Sequence, residues 1–476
     1  MRSRINHAFG AIVLIALLGA CSLAPRHVRP ELPTASAYPS ELAGQTQGAS
    51  APSLDYRDFF ADPRLKALIA LALEHNRDMR IAVAQVEEAR SLYRIQRADR
   101  LPNTGLAAQA TRTRAGPEAL SAGGTPSSAT EPITFDRYSA SAAIASFELD
   151  FWGRVRSLSD AALAEYLATR AAARAFQLSL IREVADAYLT LLEARERLQL
   201  AEATVRSRQD GLRIAKRRLD AGVTSELDYR QAETLLTQAE IEPAALKLQL
   251  AQSENLLDAL VGRPLDMSLP DSLPLQEQVR VDVLAPGLPS ELLTARPDIV
   301  AAEERLRAAR ANIGAARAAF LPSISLTGTY GYASRELDAL FDNDGRTWSY
   351  GPTINLPLFD FGRRRANLSV AAARENIAVA SYERVIQTAF REVADALAGR
   401  RFLAEQVAAQ ERATVAQRRL AELARTRYRE GVVSHLEVLD AERNLFAAEQ
   451  ALLQARRAEV ASFVALYVAL GGGLSR

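Results

Sequence analysis

The chain has 476 residues and a net charge of +1, from 58 basic and 57 acidic side chains. So even a balance supplies no field for gathering nucleic acid, and a single cysteine excludes an internal disulfide. The length exceeds one ordinary core, so more than one unit is needed.

At the N-terminus, Arg2 and Arg4 precede an apolar run from Ala8 to Leu18. That run suits a signal peptide and is too short to span a bilayer. It ends Leu18-Gly19-Ala20-Cys21, which is similar to a bacterial lipobox. On that reading residues 1–20 are a lipoprotein signal peptide and Cys21 becomes the lipidated N-terminus. An ordinary signal peptide with an incidental cysteine is the alternative. Residues 21–60, rich in proline, form an extended tether.

A first unit is expected over residues 61–261. From Asp62 to Arg100, Leu65, Leu68, Ile69, Ala72 and Leu73 recur at helical spacing, and Leu101-Pro102 stops the helix. A polar strand over about Asn103–Arg114 and a Gly/Ser/Pro-rich loop, Ala115–Pro132, follow. In a second strand, about Thr134–Trp152, Ala143, Ala145, Phe147 and Leu149 alternate with Ile144, Ser146, Glu148 and Asp150. Gly153 to Ala221 then reads as one helix. Val184, Leu191, Leu198, Val205, Leu212 and Leu219 step by seven, with Ala187, Ala194, Ala201 and Ala215 three beyond, a coiled-coil seam. Some seventy helical residues reach about 100 Å, several bilayer thicknesses. After a tight turn a return helix runs to about Val261, and Pro243 predicts a kink or break in it.

Residues 262–290 form an aperiodic connector, and 291–476 repeat the order. A helix over about Pro297–Phe320 precedes strands over Ser323–Ala333 and Thr347–Phe361. A helix from Gly362 to Arg429, a turn, and a helix to about Leu470 complete the repeat. The duplication is explicit at the turns. Arg218–Glu233, RLDAGVTSELDYRQAE, returns 209 positions later as Arg427–Glu442, RYREGVVSHLEVLDAE. Gly222 and Gly431 sit where each helix ends in a left-handed residue. Ser225 and Ser434 follow as N-caps, with Asp228 and Glu437 at the capping-box spacing.

Membrane spanning falls to the strands, because no later stretch is apolar enough for a spanning helix. Four strands cannot close a barrel and an open edge cannot face lipid, so copies must share one. Three chains give about twelve strands, enough to enclose an aqueous lumen. The long helices must then project from the membrane. Phe151, Trp152 and Phe361 stand like an interfacial aromatic girdle, followed by Arg154, Arg363, Arg364 and Arg365.

This order, given twice, resembles the TolC-like outer-membrane efflux channels, and the lipobox their lipid-anchored branch. Asp62-Pro63-Arg64-Leu65, Arg296-Pro297-Asp298-Ile299, Ala319-Phe320-Leu321-Pro322-Ser323-Ile324 and Arg427-Tyr428-Arg429-Glu430-Gly431 carry the resemblance. It implies a mainly α fold with a membrane β-barrel. A homotrimer would form a twelve-stranded barrel in outer-membrane lipid and an α-helical tunnel through the periplasm. It also implies a periplasmic adaptor and an inner-membrane pump, most often of the resistance-nodulation-division type. Small toxic solutes would pass passively, with type I protein secretion or a non-conducting coiled-coil lipoprotein as alternatives.

By the same resemblance the periplasmic gate is Leu436, Glu437 and Asp440, and its latch is Tyr428 and Arg429 with Asp228 as acceptor. Glu437 also fits a simple cap behind Ser434, and Tyr428 and Arg429 a plain helix end. Glu148 and Asp150 either line the barrel's periplasmic rim or pair with Arg154 or Arg156. Nothing points to an enzyme, cofactor or metal. His7, His27, His75 and His435 lack ligand spacing, and there is neither a phosphate-binding loop nor a Gly-x-Ser-x-Gly elbow.

Overall fold

The computed structural model describes residues 23–30, 49–50, 54–116, 131–265, 269–280, 284–285, 294 and 296–473. Cys21, the signal peptide, most of the tether and most of the 115–132 loop lie outside them. In chain order the elements are α1 (Tyr56–Phe59), α2 (Pro63–His75), α3 (Arg77–Ala98), β1 (Thr104–Ala115), β2 (Ile133–Glu148), α4 (Arg154–Asp220) and α5 (Glu226–Val261). The second repeat contributes α6 (Pro297–Ala318), β3 (Ser323–Ser334), β4 (Arg346–Asn355), α7 (Arg363–Arg429) and α8 (His435–Ala469). Among the described residues no helix is long and apolar enough to cross a membrane.

The chain forms two compact units, and each draws on both repeats. The first holds residues 87–168 and 303–380 with the N-terminal segment. Its centre is one antiparallel sheet in the order β1-β2-β3-β4. Directly paired residues share a face. One face therefore runs through Leu106, Ala142, Tyr330 and Trp348, and the next rung through Thr104, Ile144, Gly328 and Tyr350. The opposite face carries Ser141, Thr329, Ser349, Thr327 and Thr353, with the Thr329 and Ser349 hydroxyls 2.7 Å apart. Apolar on one side and hydroxylic on the other, the sheet has the two-sided chemistry of a barrel wall. Among the described residues the outer edges of β1 and β4 have no partner strand.

Three expectations for this unit need correction. The alternation in β2 is not continuous: a bulge between Ile144 and Phe147 puts both on the apolar face and moves Glu148 opposite Ser325. β2 ends at Glu148, not Trp152, because Asp150 turns back to accept from the Val155 and Arg156 amides, 3.1 and 2.7 Å, at the start of α4. β4 ends at Asn355, short of Phe361, because its partner β3 begins at Ser323, directly opposite Asn355. Asp360 repeats the Asp150 device, accepting from the Gly362 and Arg364 amides at 3.1 and 3.0 Å. Those bonds hold its carboxyl below the ordinary range.

The N-terminal segment straps antiparallel onto α6. The Leu23 carbonyl accepts from Arg317 at 3.0 Å, Ala24 packs on Gly314, and the Val28 carbonyl accepts from Arg310 at 2.7 Å. His27 and Arg29 both reach the buried Glu303, at 2.9 and 3.1 Å. Burial would raise that carboxyl, but Arg29 and His27 outweigh it and hold it below its ordinary value.

The second unit, residues 54–86, 169–302 and 381–473 as described, holds the main hydrophobic core. Phe59 stacks on Tyr467 at 4.4 Å, among Leu65, Leu68, Ile69, Ile181, Val184, Tyr188 and Tyr382. Asp62 is fully buried. One of its oxygens caps α2 through the Arg64 amide, 2.7 Å. The other accepts from Tyr188, Gln278 and the Leu273 amide, at 3.0, 2.8 and 3.1 Å. Burial first, then the Asp62 charge, pushes the Tyr188 phenol up. Arg296 ties the start of α6 to Asp298 at 2.6 Å, to Glu392 of α7 at 2.8 Å and to the last carbonyl of α8, Ala469, at 3.0 Å. The helix expected over Asp62–Arg100 breaks at Asn76. The buried Asn76 leaves helical geometry, caps α3 through the Met79 amide at 2.9 Å and donates to the Leu260 carbonyl at 2.8 Å. Pro243 causes no break, and α5 is continuous through it.

Candidate functional site

The two hairpin tips both belong to the second unit. Each long helix ends on a left-handed glycine, Gly222 at φ 70° and Gly431 at φ 74°. The amides of Val223 and Val432 then close each turn onto Arg218 and Arg427 carbonyls, both at 2.9 Å. Beyond the turns the repeats diverge. In the first, Ser225 and Asp228 form a complete capping box. In the second, Ser434 makes no side-chain cap bond among the described residues, and Glu437, one methylene longer than Asp228, pairs with Arg427 at 2.9 Å.

That divergence leaves the two equivalent arginines with different tasks. Arg427 is held by its own hairpin's Glu437. Arg218, whose own carboxylate is committed to the cap, reaches instead to the second hairpin. It donates to the Tyr428 hydroxyl, and its guanidinium lies 5.5 Å from the ring centroid. Arg429 donates to Thr426 on its own helix at 3.3 Å. Asp228 accepts from the Thr224 and Ser225 hydroxyls, at 2.7 and 2.9 Å.

Arg218 is the outermost of three arginines on one side of α4, the others being Arg208 and Arg197. Steps of ten and eleven residues are about three helical turns, so all three face the second hairpin. Arg208 is buried and lies 2.7 Å from Glu442 of α8, which Arg425 also engages at 2.8 Å. Burial first of all lowers the Arg208 pKa, and Glu442 opposes that. Arg197 bonds Glu193 at 3.1 Å, Glu242 of α5 at 2.9 Å and Gln450 of α8. These links escaped the sequence reading. The recurrence of Glu233 as Glu442 and the three-turn spacing of the arginines were the signals for them.

At the start of α8, Val438 and Leu439 are buried, whereas Leu436, Glu437 and Asp440 are exposed on the adjoining face. Among the described residues Asp440 pairs only along its own helix, with Arg443 at 3.0 Å. A leucine and two carboxylates are thus grouped on a face that the described residues leave exposed. The seam of α4 behaves alike: Val184 and Leu191 are buried, while Leu198, Val205, Leu212 and Leu219 toward the tip are half-buried. At the other end of α4, Glu148 pairs with Arg154 at 2.8 Å and Asp150 caps the helix, the alternative that competed with a pore-lining role. Trp152 donates to the Pro322 carbonyl at 2.7 Å, fixing the strand-to-helix corner.

Residues 68–263 and 288–472 match the family model described as outer membrane efflux protein. The outer membrane protein OprJ of Pseudomonas aeruginosa is 45% identical over 469 residues, 98% of this chain and 96% of that one. The solvent efflux pump outer membrane protein SrpC of Pseudomonas putida is 43% identical over 465 residues, 97% of each. The open state of the MtrE outer membrane channel of Neisseria gonorrhoeae superposes with a TM-score of 0.87. It is 38% identical and covers 96% of this chain and 99% of that one. The chain belongs to the outer membrane efflux protein family: it is the protomer of an outer-membrane efflux channel, its four strands the barrel share and its long helices the periplasmic part.

Proposed function

We propose that three copies close a twelve-stranded barrel in the outer membrane, and that each brings two repeats, residues 61–261 and 291–476, joined by the 262–290 connector. The observation that carries this is the sheet itself. Among the described residues its two edges are unpaired and its faces are of opposite polarity, a state that lipid does not tolerate until neighbouring copies pair the edges. The helices continue the barrel as a tunnel through the periplasm, where an adaptor and an inner-membrane pump of the resistance-nodulation-division type deliver solutes. The channel conducts them passively and performs no chemistry. Cys21 carries a lipid anchor.

Leu436, Glu437 and Asp440 form the periplasmic constriction, three copies of each making an apolar and acidic ring. Tyr428 and Arg429 act as its latch, with Asp228 fixing the first-repeat turn. The solvent-pump name of SrpC supports small organic solutes as cargo over secreted protein. Planar-bilayer recording of the purified protein tests the reading. Discrete conductance steps sensitive to substitutions at the tips are expected, and a protein that never conducts would refute it.

A further inference from the structure

The apolar side of the sheet carries a groove of about 690 Å³. Its walls include Ile144, Ala142, Tyr330, Trp348 and Tyr350, the last two with rings stacked 5.6 Å apart and 13° from parallel. One rung beyond Trp348, on the same face, stands Arg346, paired with Tyr332 in the ladder. Arg346 is exposed and has no carboxylate partner among the described residues, although Glu336, Asp338, Asp342 and Asp344 lie in the turn just before it. A cation standing over an aromatic trough on a lipid-facing surface is complementary to an amphipathic anion.

Topology says which one. The turn at 335–345 joins β3 to β4 at the end opposite Ser323 and Asn355, which lead to α6 and α7. With the helices on the periplasmic side, Arg346 stands at the outer leaflet. The principal lipid of that leaflet is a multiply acylated, phosphorylated glycolipid. We propose that this groove binds one such lipid, its phosphate on the Arg346 guanidinium and its acyl chains along Tyr330, Trp348 and Tyr350. A guanidinium fork suits phosphate, and flat aromatic faces suit extended chains. Edge pairing between protomers uses the ladder bonds of β1 and β4 and leaves this face outward. The assignment rests on the barrel reading, which fixes which end is outermost.

The test is native mass spectrometry of the detergent-purified, delipidated full chain. Three lipids are titrated: hexa-acylated bisphosphorylated lipid A, the same lipid with its phosphates removed, and phosphatidylglycerol. Lipid A is expected to be retained most strongly. Arg346→Gln should weaken it about tenfold, the scale of losing a charged hydrogen-bonding partner, while leaving the dephosphorylated form unchanged. Trp348→Ala should weaken both forms, and Ser141→Ala, on the opposite face, neither. Equal retention of phosphatidylglycerol and lipid A would overturn the proposal, as would an Arg346→Gln protein that keeps lipid A fully. The same spectra report the oligomer: trimers without selective lipid A binding refute the site alone, whereas monomers refute the barrel and the site with it.

Discussion

Arg218 of the first repeat holds Tyr428 of the second, guanidinium to hydroxyl and guanidinium over ring, across 210 positions of sequence. Its counterpart Arg427 is tied within its own hairpin by Glu437. The two tips differ at this position: Asp228 closes a capping box, whereas Glu437 turns to Arg427 and Ser434 makes no side-chain cap bond among the described residues. The bond between the tips is therefore a product of the divergence of two once-equivalent turns. An exposed contact of this kind contributes about 0.5–1 kcal/mol, small enough to be broken in function. Tyr428→Leu and Arg218→Gln should each raise single-channel conductance or open time several-fold, and the double variant no further than the larger single effect. Unchanged recordings in both would remove this contact from gating.

The Arg208–Glu442 pair should behave differently, since Arg208 is buried and Glu442 mostly so. Leaving one member without its partner costs roughly 3–5 kcal/mol, whereas replacing both with apolar residues is often near neutral. Glu442→Leu should lower the Tm of the purified protein, and Arg208→Met in the same chain should recover much of the loss. Equal losses for the single and double variants would show that the two residues act independently.

Among the described residues Asp440 has only Arg443 as an ionic partner, on its own helix, and it is half exposed. If three copies face one lumen, Asp440→Asn should weaken block by divalent cations about tenfold while Glu437→Gln, which also frees Arg427, changes conductance as well. Block of undiminished strength in Asp440→Asn would place that carboxylate outside the pore.

The strap on α6 predicts a pH dependence. Glu303 is held below its ordinary carboxylate value by Arg29 and His27, so its contribution is fully present above the ordinary range and is lost as pH falls through the lowered value. Hydrogen exchange of residues 23–30 should stay slow from neutral pH into mild acid and accelerate only below it. In Glu303→Gln it should be fast throughout. Equal protection of the two proteins at neutral pH would contradict this account of the strap.

Local signals located the long helices, though not the break at Asn76 or the short helix α1 inside the expected tether. The glycines at 222 and 431, Pro63 and Pro297 at helix starts, and the seam of Val184 and Leu191 are short-range features that neighbouring residues already decide. The strand ends were misjudged because Leu149 and Phe151 continue an alternating pattern past Glu148, and Leu358 past Asn355, the last residues paired with β3. The bulge at Ile144 left only one trace, an isoleucine placed among polar residues in the expected alternation. Within the candidate site, Leu436, Glu437 and Asp440 were expected from the resemblance, and the structure leaves all three exposed near the start of α8. The partners of Arg218, Arg208 and Arg197 were not legible, since an arginine in a long polar helix looks the same whether it meets water or an acceptor more than two hundred residues away.

The most direct test is the mass of the detergent-solubilised assembly, counted in protomers by native mass spectrometry. Shared closure of the sheet predicts a species of three chains, which dissociates only as the strands unfold. A stable, folded single chain with β1 and β4 still unpaired would contradict it.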